Sequence, residues 1–309
     1  MNSEILSEKG EVLPLLFFPE VSLEGLLNIN KKPGVASFDV VQKVRQLSGK
    51  RKVGHTGILD RAASGVLVVL SGRATKIIRF LSEDDKEYVG TVRLGAATET
   101  DDSTGRVVRR AEVGGITVDL ISNVLDSFKG EIEQIPPAYS CIKVGGRRLH
   151  ELAREGTPPA VPARRVQIRD LEMVDFEDGD IKIRVVCSKG TYIRALARDI
   201  GDKLGCLGHL HNLVRLRVGE NLLKNSIDID MVSGIEEHLM TMKDALRRFP
   251  IVNLGTKDSS SFKFGQMVEF DHPGCGSEAR LVRVCDAREN LIAVGRIEKG
   301  MLIPLRVLA

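Results

Sequence analysis

The sequence has no tryptophan and only three tyrosines (Tyr88, Tyr139 and Tyr192), and aromatic residues make up 4% of its 309 positions. With so few rings, each tyrosine is a marker to be placed individually. Cysteine is scarce as well: Cys141, Cys187, Cys206, Cys275 and Cys285 are odd in number and contain no C-x-x-C pair. That excludes a disulfide scaffold, argues against a zinc cage, and leads us to expect reduced thiols in a cytoplasmic protein. No apolar run approaches the ~18–20 residues of a membrane-spanning helix, so no membrane role is expected. Gly49-Lys50 lacks the upstream glycine of a phosphate-cradling loop, which argues against nucleotide hydrolysis. The six histidines (55, 150, 209, 211, 238, 272) form no H-E-x-x-H, and His209 and His211, two apart, suit a strand or a turn better than a helical metal pair. A G-x-S-x-G nucleophile elbow is also missing.

What remains is an ordinary globular composition, 42% hydrophobic and 28% charged, in a chain of roughly two-domain length. The net charge of +3 conceals strong segregation. From Val40 to Leu81 nine Lys or Arg face a single acid, Asp60. Ala138–Asp170 and Lys189–Lys224 each carry seven bases against three acids, whereas Ser82–Leu120 holds nine acids against five bases. Such clustering is the footprint of a polyanion, most simply nucleic acid, although a solvated face with its counter-charges nearby in space gives the same counts.

Residues 1–22 read as an extension of no assigned role. Val12–Phe18 is apolar but short, contains Pro14, and follows Glu4, Glu8 and Glu11, unlike a secretory signal. Regular structure starts with a strand over Leu23–Ile29. Ser37 is the expected cap of a helix to about Ser48, with Gly49 as its stop. Lys50–Ala63 is a glycine-rich polar loop. A buried strand over Gly65–Leu70, a helix over Ala74–Leu81 and an alternating strand over Glu87–Leu94 follow. Thr117 caps a helix reaching Lys129, with Gly130 beyond its end. Gly130–Pro162, rich in Pro, Gly and Arg, reads as an insertion with one short helix near Leu149–Arg154. A hairpin joins Val166–Phe176 to Asp180–Cys187, and helices are expected over Thr191–Leu204 and Glu236–Arg248. After Phe249-Pro250 the texture becomes short strands without helical period, a small all-β module. The body is therefore α+β with a mixed or antiparallel sheet.

One stretch concentrates chemistry: Gly54-His55-Thr56-Gly57-Ile58-Leu59-Asp60-Arg61. Its glycines permit tight turns and close approach of a partner. An aspartate in such a loop is commonly a turn former and nothing more. What raises Asp60 above that is a second element, Lys189-Gly190-Thr191-Tyr192-Ile193-Arg194, which sets an arginine and a tyrosine at the start of a helix. Tyr88 has two readings: a half-buried core residue, or a platform for an unstacked base.

These segments, with Lys32-Pro33, Ser37-Phe38-Asp39, Lys86-x-Tyr88, Gln134-Ile135-Pro136-Pro137-x-Tyr139-Ser140 and Leu213-x-Arg215, are identified as resembling bacterial tRNA pseudouridine-55 synthases of the TruB family. The resemblance runs from Leu26 to Val307. It implies a mixed or antiparallel-sheet pseudouridine synthase catalytic domain over residues 23–249, with an RNA-clamping insertion at about 130–162. A small all-β PUA-like barrel that binds RNA follows over 250–309. It implies Asp60 as the catalytic aspartate, Arg194 as its partner, and Tyr88 as the ring that stacks on the target base. Tyr192 and Leu213 then line the pocket, His55 enters the T-loop to displace bases, and Lys32 is a motif lysine near the pocket. The implied reaction converts uridine 55 of the tRNA T-loop to pseudouridine after flipping the base, with no cofactor and no metal. The implied partner is the T-arm of tRNA, met by a monomer without an obligate protein partner. Two departures stand out: Arg61 and Ala62 replace the proline and bulkier apolar residue usual after the aspartate, which frees that turn. Competing readings are a non-catalytic RNA-binding or tRNA-folding protein, disfavoured by the joint presence of Asp60, Tyr88 and Arg194, and a metal-dependent nuclease, for which clustered carboxylates are too few.

Overall fold

A computed structural model describes residues 23–156, 159–232, 234–270 and 280–308. The extension 1–22, His272 and Cys275 lie outside the described residues. The body is a nine-stranded sheet: β1 (Gly25–Lys31), β2 (Val53–His55), β3 (Ser64–Ser71), β4 (Lys86–Leu94), β5 (Gly130–Gln134), β6 (Arg164–Glu177), β7 (Asp180–Cys187), β8 (Gly208–Val218) and β9 (Asn221–Leu222). Its order is β1-β3-β8-β4-β7-β6-β5, with β2 added to β3 and β9 to β8. Every pairing is antiparallel except β3 with β8, so the sheet is mixed. That one parallel junction sits at the site. Gly65 pairs with Arg215 there, and a side chain on Gly65, whose φ is +106°, would collide with the Arg215 backbone.

The helices are α1 (Ser37–Ser48), α2 (Ile78–Leu81), α3 (Val118–Asp126), α4 (Leu149–Arg154), α5 (Ile193–Lys203), α6 (Met242–Ala245) and α7 (Thr256–Lys263). On one sheet face Tyr88, Val92, Ile181, Ile183 and Val185 pack with α3 and α5 through Ile121, Leu125, Leu196 and Ile200. Elsewhere Val40, Val41 and Val44 of α1 cover Leu27, Ile29, Leu67 and Val69. The period-two burial of β4, in which Lys86, Tyr88, Gly90, Val92 and Leu94 share the covered face, sends Tyr88 inward.

Several expectations require correction. Ser37 is not the cap of α1; Ala36 is, and Asp39 accepts the Ala36 N–H at 3.0 Å, leaving the Ser37 hydroxyl free for another task. The helix expected over Ala74–Leu81 is a 3-10 stretch from Gly72 to Ile77 that runs into the single turn of α2. Thr117 does cap α3, accepting from Leu120 N at 3.2 Å, but the helix ends at Asp126, and Gly130 opens β5 instead. Because Gly130–Gln134 pairs with β6, it belongs to the sheet, and the inserted segment begins after it. The helix expected over Glu236–Arg248 is broken into a 3-10 turn at Glu236–His238 and the short α6. Met240 exchanges two hydrogen bonds with Leu26 of β1, each 2.9 Å, and that extended pairing overrides the helical spacing.

The C-terminal strands β10 (Ile251–Asn253), β11 (Val268–Glu269), β12 (Arg280–Cys285), β13 (Leu291–Glu298) and β14 (Met301–Val307) form a separate five-stranded sheet in the order β10-β12-β13-β14-β11. The all-β expectation is amended by α7, whose Phe262 is fully buried in that sheet's core.

Candidate active site

A cavity of about 370 Å³ opens where β4, β8, the start of α5 and the loop after β2 converge, within the usual range for small-molecule sites. Asp60, Tyr88, Tyr192, Arg194 and Leu213 all line it, as does Tyr139. Five segments, the outermost more than 150 residues apart in the chain, therefore meet in one place.

The loop that carries Asp60 is fastened from below by three buried side chains. The Ser37 hydroxyl donates to the Leu59 carbonyl (2.8 Å) and accepts the Leu59 N–H (3.0 Å). Arg215 donates through Nε to the Val66 carbonyl (2.7 Å) and through its terminal nitrogens to the carbonyls of Ile58 and Gly57, each 3.2 Å. Lys31, 1% exposed, donates to the carbonyls of Val35 (2.8 Å), Ala63 (2.5 Å) and Arg61 (3.3 Å). A loop with its backbone acceptors taken in this way has little freedom to swing Asp60.

Arg194 is 6% exposed and spends its fork on four acceptors. Nε reaches Asp60 Oδ2 at 2.8 Å, Nη2 reaches Asp60 Oδ1 at 3.4 Å and the Tyr139 carbonyl at 3.0 Å, and Nη1 reaches the Thr100 carbonyl at 2.9 Å. A second carboxylate, Asp102, stands 3.8 Å from Nε, occupied by the hydroxyls of Thr100 and Thr104. Asp60 keeps 42% of its side chain exposed toward the cavity, so it is both oriented and reachable.

Tyr88 is buried, and burial holds its hydroxyl above the ordinary tyrosine range, keeping the phenol neutral. Tyr192 is fixed by Gln134, whose side chain accepts the Tyr192 N–H (2.8 Å) and donates to its carbonyl (3.1 Å). Leu213 faces Gly90 across β8 and β4, supplying an apolar wall. Cys187, on β7, is buried, and its thiol is pushed up to about 12, so it is no nucleophile.

Two expected residues lie elsewhere. His55 sits on β2, half-buried, beside but not on the cavity wall; burial and the nearby Arg215 charge lower its pKa, and among the described residues its Nδ1 has no hydrogen-bond partner. Lys32 does not line the cavity; it is half exposed and pairs with Asp228 (2.8 Å) and Asp230 (3.5 Å). The lysine beneath the loop is its neighbour Lys31. The signal for that choice lay in the strand alternation, since Leu27, Ile29 and Lys31 share one face of β1. Arg215 and Gln134 were present in the motifs without an assigned task, and Arg215 follows Leu213 at the same spacing. Among the described residues no cluster of His, Cys, Asp or Glu is suited to a metal ion.

Comparison with known proteins gives a consistent result. Residues 45–193 match the family described as TruB family pseudouridylate synthase (N terminal domain), and residues 250–308 match pseudouridine synthase II TruB, C-terminal. The tRNA pseudouridine synthase B of Francisella philomiragia is 39% identical over 290 residues, covering 92% of this chain and 94% of its own. The protein of the same name from Caldanaerobacter subterraneus is 38% identical over 288 residues, covering 93% and 100%. The crystal structure of a Cbf5-Nop10-Gar1 complex contains a chain 24% identical, with a TM-score of 0.71 over 99% of this chain and 93% of that one. That likeness speaks to the fold.

Proposed function

The chain belongs to the TruB family of pseudouridine synthases, RNA-modifying isomerases, and on that premise we propose that it converts uridine 55 in the T-loop of tRNA to pseudouridine, with Asp60 as the reacting carboxylate. The observation that carries this reading is the Asp60 carboxylate, held at 2.8 Å by a buried arginine on a tyrosine-lined cavity. The reaction exchanges a C–N glycosidic bond for a C–C bond within one nucleotide, so it calls for a positioned carboxylate and a pocket that retains the detached base. Arg194 holds both carboxylate oxygens and aims them; Leu213, Ile193 and the tyrosine rings keep water from the intermediate.

A uridine inside a folded loop must be extruded, at a cost of a few kcal/mol. Stacking on Tyr88 returns ~1–3 kcal/mol of that. His55, at the edge of the cavity, is the residue suited to fill the vacated stack. The clamp on the RNA is the exposed hairpin bearing Arg147 and Arg148 followed by α4; Arg164 and Arg165, exposed on β6, add fixed cations beside it. The five-stranded C-terminal sheet serves as the PUA-like RNA-binding module, and the protein acts as a monomer.

The test is release of tritium from C5 of uracil in a tRNA transcript, in the presence of chelator. Native protein releases it, and Asp60→Asn does not; equal release by both removes Asp60 from the chemistry.

A further inference from the structure

Lys86 is a buried cation on the cavity wall that the reading above leaves without a task. It lines the same space as Asp60 and Tyr88, and it lies two residues before Tyr88 on the covered face of β4. Only 6% of it is exposed. Its ammonium donates to the carbonyls of Ser82 (2.7 Å) and Asp84, which uses two of its three N–H groups. Among the described residues no carboxylate reaches ion-pair distance of Nζ. The charged and titratable neighbours are Arg215 from β8, Cys187 from β7, and Glu83 and Asp85 from the preceding turn. A buried ammonium without a counter-ion is costly, and burial pushes its pKa down to about 8. The cation and its spare N–H suit an anion that visits the cavity.

We propose that Lys86 donates its third N–H to the uracil ring and stabilises the negative charge that the ring carries between departure and reattachment. The inference rests on the isomerase reading. When the C1′–N1 bond breaks, its electron pair stays on N1 and spreads to O2 and O4. The ring then turns, C5 forms the new bond to C1′, the C5 proton leaves to a base, and N1 takes up a proton. Atoms and electrons balance without an oxidant or reductant. Because the charged ring exists only between the two bond events, a cation that binds it more tightly than neutral uracil accelerates the reaction.

The bland alternative is a lysine that only ties the 82–85 turn, and leaving-group chemistry separates the two. Lys86→Met removes charge and donors; Lys86→Gln removes the charge and keeps two N–H groups for the two carbonyls. Each is assayed under single turnover with tRNA transcripts carrying uridine or 5-fluorouridine, whose fluorine makes the ring a better leaving group. Consumption of the original N-glycoside is followed by nuclease digestion and chromatography. A variant that unfolds at the native temperature is expected to lose on the order of 100-fold on uridine, and several-fold less on 5-fluorouridine, with tRNA affinity unchanged. An equal loss on both substrates, or weakened tRNA binding at an unchanged rate, overturns the assignment to Lys86. Failure of the native protein to consume either transcript would instead overturn the isomerase reading.

Discussion

Replacing Arg194 by lysine keeps the positive charge and discards the fork. The native guanidinium satisfies both oxygens of Asp60 and the main-chain carbonyls of Thr100 and Tyr139. A lysine that stays with Asp60 abandons both carbonyls at a site where the native side chain is 6% exposed. Each orphaned carbonyl costs about 1 kcal/mol at the low end of the range for buried groups. Looser attachment of Asp60 adds about 1 kcal/mol, since water already shares that half-open carboxylate. The sum, roughly 3 kcal/mol, lowers the unfolding temperature by about 5 °C in a chain of this size. The effect on turnover is larger. A carboxylate released from two-point attachment no longer holds its line of attack, and a misplacement near 1 Å costs about 10²-fold in rate. Affinity for tRNA, carried by surface cations, changes little. Single-turnover tritium release at saturating protein gives the rate, and filter binding gives the affinity. A rate loss under about threefold, or a loss of affinity in step with the rate, would refute the orienting role and make Arg194 a phosphate contact.

Ser37→Ala strips both bonds from Leu59 and leaves two buried backbone groups unpaired. Stability falls by about 2–3 kcal/mol and kcat by about tenfold at unchanged KM, read by urea unfolding and steady-state kinetics; an unchanged kcat means the loop holds without it. Arg61 lies next to Asp60 with its side chain 71% exposed, and among the described residues its one ion-pair partner is Asp39, 4.0 Å away. It is suited to a phosphate, so Arg61→Ala should reduce the salt slope of tRNA affinity by about one, and an identical slope would rule the contact out. The pH dependence of stability follows from Lys31 and Lys86, both lowered from 10.5 to about 8. Between those values the unfolded chain binds more protons than the folded one, so stability rises with pH, by about 1 kcal/mol per lysine from pH 8 to 9. Above pH 9 Cys187, raised to about 12, acts in the opposite sense, which bounds the window. Lys31→Met should halve the rise in urea midpoint, and a midpoint that fell between pH 8 and 9 would contradict the burial of both ammoniums.

The sequence conveyed these features unevenly, for physical reasons. The helix over 37–48 was legible because Val40, Val44 and Gly49 obey local rules of period and termination. Asp60, Tyr88 and Arg194 were legible through segment composition and resemblance, and the fold brings all three to one cavity. The choice between Lys31 and Lys32 turned on which neighbour faces inward, a matter of strand phase within a basic doublet. The broken helix at Glu236–Arg248 was illegible because its competitor, the edge of β1, lies more than 200 residues away. Gly130–Gln134 read as the start of an insertion because it leads into a segment rich in Pro, Gly and Arg; its place in the sheet comes from β6. Long-range pairing decided what local pattern could not.

The fastenings of the Asp60 loop come from β1, α1 and β8, and its arginine from α5, so the reactive centre is complete only after residue 215 has been made and docked. A ribosome-bound fragment that stops short of β8 carries the aspartate without its clamps and should be inert toward RNA. Activity and tertiary structure should then vanish together in denaturant, making this enzyme a reporter of its own maturation.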